Sequence, residues 1–225
     1  CKYFEYNLKM ENNVLVVGTG TIGEPLIGLL ARLKDAFGIE NLYFHKRTPL
    51  DYEVAKVNSL VDQGAQLVVN AGTEQCFRFF GHEPVTDFET ALLKSRVVID
   101  CTPAGNENKD EHYLGLETYT KDKIFIAQGS EKGFGIPYAH GINDKVLSQK
   151  SAPRFVQVVS CNTHAISRTI KCIQRATNDS ITNADFVCVR RSNDASQNSG
   201  FTPSPTCGEH SDDVFGTHHA RDVHD

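Results

Sequence analysis

A chain of 225 residues with 40% hydrophobic side chains has enough apolar material for a buried core, which excludes wholesale disorder. Its formal charge of −5, with nine histidines outside that count, offers no basic field to nucleic acid, and no apolar run approaches the ~20 residues of a membrane span. Seven scattered cysteines, odd in number and never in a C-x-x-C pair, fit neither a disulfide framework nor a zinc ribbon, so a reducing, cytoplasmic setting is expected.

The single methionine, Met10, stands just ahead of the first strand-like run, so residues 1–9 read either as upstream translated sequence or as a short natural extension. From Val14 onward, short β-branched or apolar runs alternate with longer amphipathic ones. Strands are predicted at 14–17, 41–44, 66–69, 97–100, 123–127 and 154–159. Between them, 25–37 carries Leu26, Leu29, Leu30 and Leu33 at helical spacing, and 51–63 forms a second helical pattern with Gly64 just past its end as a stop. This alternation predicts an α/β fold, a doubly wound Rossmann-type parallel sheet. After Cys161 the character changes to a helix over 165–176, a strand over 184–190 and a polar tail. That stretch reads as the start of an α+β catalytic domain left incomplete. The expected parts are an extension over 1–13, a dinucleotide-binding domain over 14–160 and the catalytic portion over 161–225.

Gly18-Thr19-Gly20-Thr21-Ile22-Gly23 follows a predicted strand and opens a helix, the context in which G-x-G-x-x-G binds a pyrophosphate: a tight turn, close backbone approach and a helix N-terminus facing the anion. At the end of the second strand, an NAD site usually offers an acidic residue to the ribose, whereas this chain has His45-Lys46-Arg47-Thr48. Cations there favour NADP over NAD, the alternative being a merely solvated loop. Val158-Val159-Ser160-Cys161-Asn162-Thr163 sets a cysteine between a strand and a helix, where the N-terminal amides favour the nucleophilic thiolate. Free cysteine is also a common core residue, which is the expectation for Cys101 and Cys188.

These motifs together resemble the archaeal-type (type II) phosphorylating glyceraldehyde-3-phosphate dehydrogenases. V-V-S-C-N-T at 158–163, Arg168 and Val187-Cys188-Val189-Arg190-Arg191 are similar to that family's nucleophile segment and V-R-R strand end. The glycine-rich turn, Lys46 with Pro49, Asp100-Cys101-Thr102-Pro103, Gln128-Gly129-Ser130-Glu131 and His218-His219-Ala220-Arg221-Asp222-Val223 fall in the family's order. The resemblance implies Cys161 as nucleophile and Asn162, Thr163, Arg190, His218 and His219 as substrate-binding residues. It implies Gly18, Gly20, Thr21, Ile22, Gly23, Lys46, Thr102, Pro103, Gln128 and Gly129 around NADP or NAD. A phosphorylated aldehyde, inorganic phosphate and a homotetramer complete the implied picture.

The departures are Ser130 in place of a glycine, His164 after C-N-T, and an unusually polar stretch between Arg191 and His218. The family's base histidine lies in an apolar T-x-x-M-H-x-H segment that this sequence lacks, so an internal base (His164, His218 or His219) or low activity is expected. Two other readings stay open: another cysteine-dependent semialdehyde dehydrogenase of similar layout, or a non-catalytic NADP-binding module. The tail's Cys207, His210, Asp212 and Asp213 are enough ligands for zinc by count, but nothing in their spacing enforces convergence, and no metal is expected.

Overall fold

The computed structural model describes residues 11–117, 122–128, 132–148, 153–178, 181–189 and 212–224, together with 193, 201 and 203. The chain divides into two compact units between Ala127 and Gln128.

The first unit begins with β1 (Val14–Val17), α1 (Gly23–Arg32), β2 (Leu42–His45), α2 (Val54–Asp62) and β3 (Gln66–Val69). It continues through α3 (Glu74–Phe79), β4 (Thr86–Asp87), α4 (Phe88–Lys94) and β5 (Val97–Asp100). A helical segment follows, α5 (Gly105–Asn108) and α6 (Leu114–Glu117) joined by a wide π turn over Lys109–Tyr113, and the last strand is β6 (Ile124–Gln128). All its strand pairings are parallel, in the order β4-β3-β2-β1-β5-β6. β1 lies at the centre, with Val14 in register with both Leu42 and Val97. Every residue of β1 and β2 is buried, as expected of strands covered on both faces. On one face Val16, Phe44 and Leu67 pack against Ile27 of α1 and Leu60 of α2.

The chain winds outward from β1 to β4, then returns to the other side of β1 as β5. A crevice must open where this order reverses, at the carboxyl ends of β1 and β5. The predicted α/β parallel fold is therefore the one observed, with two adjustments. The first helix starts at Gly23 and ends at Arg32, short of the predicted 37, because Leu33 leaves the helical conformation (φ −101°, ψ 13°) as its C-cap. The predicted 51–63 helix opens with a tight 3₁₀ turn, Asp51–Glu53, before α2. Lys123 is fully buried at the start of β6, where its ammonium donates to the carbonyls of Leu92 (2.5 Å) and Ser95 and so caps the C-terminal end of α4. Burial pulls its pKa down to about 8.

The second unit holds β7 (Ile136–Tyr138), paired in parallel with β8 (Phe155–Val158), then α7 (Cys161–Thr177) and α8 (His218–His224). α7 begins at Cys161 itself, four residues before the predicted start. Ser160 is its N-cap, with Oγ accepting from the Thr163 amide at 3.2 Å. It ends at Asn178 in the left-handed conformation, φ 52°. The predicted strand over 184–190 does not form: 184–189 carries no strand pairing and is exposed, with Val187 93% and Val189 91% accessible. A strand needs a hydrogen-bonding neighbour and cover for its apolar face, and this segment has neither among the described residues. Cys188 is accordingly exposed, not the core thiol expected, whereas Cys101 is buried. Among the described residues no helix is long and apolar enough to cross a membrane.

The β1–α1 turn depends on Gly23. A Cβ built there would lie 2.0 Å from the Gly18 carbonyl oxygen, a contact with backbone that no rotamer relieves. Gly23→Ala is expected to lower stability by about 1–3 kcal/mol, while Gly20→Ala, whose Cβ would meet nothing within 4 Å, should stay within about 0.5 kcal/mol of the parent. Chemical denaturation of both variants checks the contrast, and equal losses would contradict it.

Candidate dinucleotide cleft and nucleophile site

A cleft of about 650 Å³ opens in the first unit at the carboxyl ends of its strands. Val17, Gly18 and Thr19 after β1, His45 to Thr48 after β2, Asn70 after β3 and Thr102 to Ala104 after β5 all line it. Gly18 adopts φ +94°, a backbone conformation that side chains disfavour, and this turns the chain sharply out of β1. Of the predicted cofactor residues, Gly18, Lys46, Thr102 and Pro103 line the cleft. Gly20, Thr21 and Ile22 are exposed on the turn leading to α1, and Gly23 is buried beneath it. No side chain caps α1, and the space beside Gly20 is open, so a pyrophosphate would meet no Cβ there, while Glu24 in the first turn of α1 is paired with Lys56. Gln128 ends β6 in partial exposure, and Gly129 lies outside the described residues.

Asp100 organises the far wall. Its carboxylate is 1% exposed and accepts four hydrogen bonds: from the Thr102 amide (2.9 Å) and hydroxyl (2.7 Å), from Asn108 Nδ2 (2.8 Å) and from the Tyr113 hydroxyl (2.7 Å). The Thr102-Pro103-Ala104 loop is thereby fixed to the α5 segment. Burial first, and then the Asp100 charge, push the neighbouring Cys101 thiol up to about 12, which makes it chemically inert.

The β2 end differs from a row of free cations. His45 is 8% exposed, its Nε2–H donates to Asn70 Oδ1 at 2.9 Å, and its ring lies 4.4 Å from Phe88. Burial pulls its pKa down to about 4, against the opposing effect of the hydrogen bond it donates to Asn70, so it is neutral at physiological pH. Lys46 is only 7% exposed and forms an ion pair with Glu53. Arg47 is exposed.

In the second unit, Cys161 is exposed in the first position of α7, with its Sγ 4.0 Å from Asn162 Oδ1. Asn162 Nδ2 lies 3.2 Å from His219 Nε2, and His219 Nδ1 lies 3.3 Å from Ser160 Oγ. A neutral Nδ1–H tautomer satisfies both contacts, accepting from Asn162 and donating to Ser160. Ser160 Oγ also lies 2.9 Å from Thr163 Oγ1. α8, which the sequence reading missed, thus brings His219 to the residues around Cys161, and the ring of His218 stands 3.9 Å from that of His219. An ion pair between Arg221 and Asp212 (3.0 Å) holds α8 to the turn before it. The structure therefore gathers Cys161, Asn162, Thr163 and His219. Arg190 lies outside the described residues. His164 Nε2–H donates to the His140 carbonyl at 3.2 Å. Among the described residues no group of three or more His, Cys, Asp or Glu side chains is arranged to hold a metal ion.

The buried neutral His45 ties stability to pH. The unfolded imidazole takes up its proton near pH 6.5 and the folded one only near pH 4, so between these values the unfolded state binds more protons. Stability should fall as pH drops through this window, by about 3 kcal/mol at most for this group. Comparing denaturation midpoints from pH 7 to pH 4 for the parent and His45→Gln checks it. The variant should show a flatter profile, and identical slopes would contradict a buried neutral His45.

The chain matches no protein-family model. It is similar to glyceraldehyde-3-phosphate dehydrogenase of Pyrobaculum calidifontis, 31% identical over 160 residues, which are 70% of this chain and 43% of that protein. It is also similar to glyceraldehyde-3-phosphate dehydrogenase 1 of Methanosarcina acetivorans, 31% identical over 72% of this chain and 45% of that protein. With glyceraldehyde-3-phosphate dehydrogenase of Methanobacterium formicicum it shares 30% identity over 82% of its own length and 51% of the other's. The chain spans about half the length of the curated relatives it matches. Over that span, with a doubly wound sheet and a glycine-rich turn after β1, it is similar to the glyceraldehyde-3-phosphate dehydrogenases of these archaea.

Proposed function

We propose that the chain is the cofactor-binding and nucleophile-bearing part of a phosphorylating glyceraldehyde-3-phosphate dehydrogenase. The observation that carries this is the cleft at the β1–β5 switch point, lined by the glycine-rich turn at Gly18 and Thr19 and by the Asp100-fixed loop. A nicotinamide dinucleotide fits the donor set: backbone amides of the 18–23 turn for pyrophosphate, and Lys46 and Arg47 for an adenosine 2′-phosphate, which favours NADP. When bound, the nicotinamide accepts the hydride.

The protein's own part in the chemistry centres on Cys161. Its thiolate attacks the aldehyde carbon, forming a C–S bond, and the carbonyl oxygen takes a proton to give a thiohemiacetal. Loss of hydride from that carbon and of the hydroxyl proton leaves a thioester. Attack by inorganic phosphate on the thioester carbon then breaks the C–S bond, releasing an acyl phosphate and returning the thiolate. Asn162 borders the reacting sulfur, Thr163 is buried against Ser160 at the helix cap, and His219 holds Asn162 in place. Arg190 and His218 are the proposed phosphate-binding groups of the substrate site, and His219, buried with both ring nitrogens engaged, acts through Asn162 and Ser160. The relatives' printed names support this substrate over other semialdehydes.

Alkylation tests the nucleophile and its substrate together. With iodoacetamide at neutral pH, Cys161 should be carboxamidomethylated fastest among the cysteines, and glyceraldehyde 3-phosphate should slow that modification selectively. Peptide mapping by mass spectrometry reads both effects. Faster labelling of Cys76 or Cys172, or no protection at Cys161, would contradict the assignment.

A further inference from the structure

At the β2 end of the cleft the chain offers no acidic residue in sequence, yet the fold brings one against Lys46, which lines it. Glu53, seven residues beyond Lys46 on the Asp51–Glu53 turn, accepts from both lysines of the region: its Oε2 from Lys46 and its Oε1 from Lys56 Nζ at 2.7 Å. Lys56 in turn donates to the Thr19 carbonyl of the glycine-rich turn at 3.3 Å and lies 3.5 Å from Glu24 of α1. One carboxylate therefore ties the end of β2, the start of α2 and the phosphate-binding turn together. Lys46 lines the cleft, but its charge is already partnered.

We propose that Glu53 is a specificity-determining residue of this cleft, which masks the Lys46 ammonium and so limits the preference for a cofactor bearing a 2′-phosphate. The inference rests on the dinucleotide reading given above. A phosphate arriving at Lys46 meets a carboxylate already bound there, and the two anions repel one another at close range. A ribose 2′-hydroxyl is neutral and is itself a donor, so the same carboxylate does not disfavour it. Three cations, Lys46, Arg47 and Lys56, stand around this corner with two carboxylates, Glu53 and Glu24, and Arg47 is the exposed one of the three. Burial by itself would raise the Glu53 carboxyl, but the hydrogen bonds from Lys46 and Lys56 hold it below the usual carboxylate range, so the mask is charged at neutral pH.

The test is calorimetric titration of the chain with NADP⁺ and with NAD⁺, for the parent, Glu53→Gln and Lys46→Ala. Glu53→Gln keeps the shape but removes the repelling charge. It should tighten NADP⁺ binding about tenfold and change NAD⁺ binding less than about twofold. Lys46→Ala approaches the same pair from the other side and should weaken NADP⁺ while leaving NAD⁺ within about twofold of the parent. An unchanged ratio of the two dissociation constants in Glu53→Gln, with both cofactors bound, would remove Glu53 from specificity and leave the cleft's assignment standing. Parallel weakening of both cofactors in both variants would reduce the Lys46–Glu53 pair to a structural role and overturn the inference. If neither cofactor binds the parent, the dinucleotide reading falls and this inference with it.

Discussion

The close approach of Gly23 to the Gly18 carbonyl is the constraint on which the cleft depends. It sets where β1 stops, how steeply the chain turns and where α1 starts. Because β1 is the central strand, flanked by β2 and β5 in matching register, any shift of that turn would displace the carboxyl ends of all three. The helix start left without a side-chain cap is the chemical counterpart of this geometry. Within it the Glu24 amide already donates to the Gly20 carbonyl and Pro25 has none, so an anion would rest on the amides of the 18–23 turn itself.

Opposite that turn, two carboxylates act in different ways. Asp100 is saturated by four donors from its own loop, which fixes the wall after β5 and leaves the carboxylate no capacity for a ligand. Glu53 instead neutralises Lys46, which lines the ligand space. One acidic residue builds the cleft, and the other sets its charge. In the second unit the polar chain from Ser160 through His219 to Asn162 has a comparable ordering role, because each member meets a partner and Cys161 is left exposed at the helix start.

Much of this was legible in the sequence where burial dictates residue type. The runs 14–17, 66–69 and 97–100 match β1, β3 and β5 to the residue, since strands covered on both faces leave little choice but β-branched and apolar side chains. β4, two residues long, and β7, largely exposed, were missed because neither carries such a run. The earlier start of α7 had a readable signal, Ser160 three residues before Thr163, which the expected start at 165 did not use. The alternating apolar residues of 184–190 suggested a strand, and pattern cannot supply the neighbour a strand requires. The glycine-rich turn and Cys161 stood out because their chemistry is local. The partners that define their surroundings, Asn108 and Tyr113 on Asp100, Glu53 on Lys46 and His219 on Asn162, are joined only by folding.

Hydrogen–deuterium exchange of the chain with and without NADP⁺ tests the central claim, that the β1–α1 turn and the loops after β2 and β5 form a dinucleotide site. Saturating NADP⁺ should slow exchange of the amides at 19–24, 46–48 and 102–105 while leaving α3 unaffected. Protection absent from 19–24, or confined to segments away from the carboxyl ends of β1, β2 and β5, would contradict it.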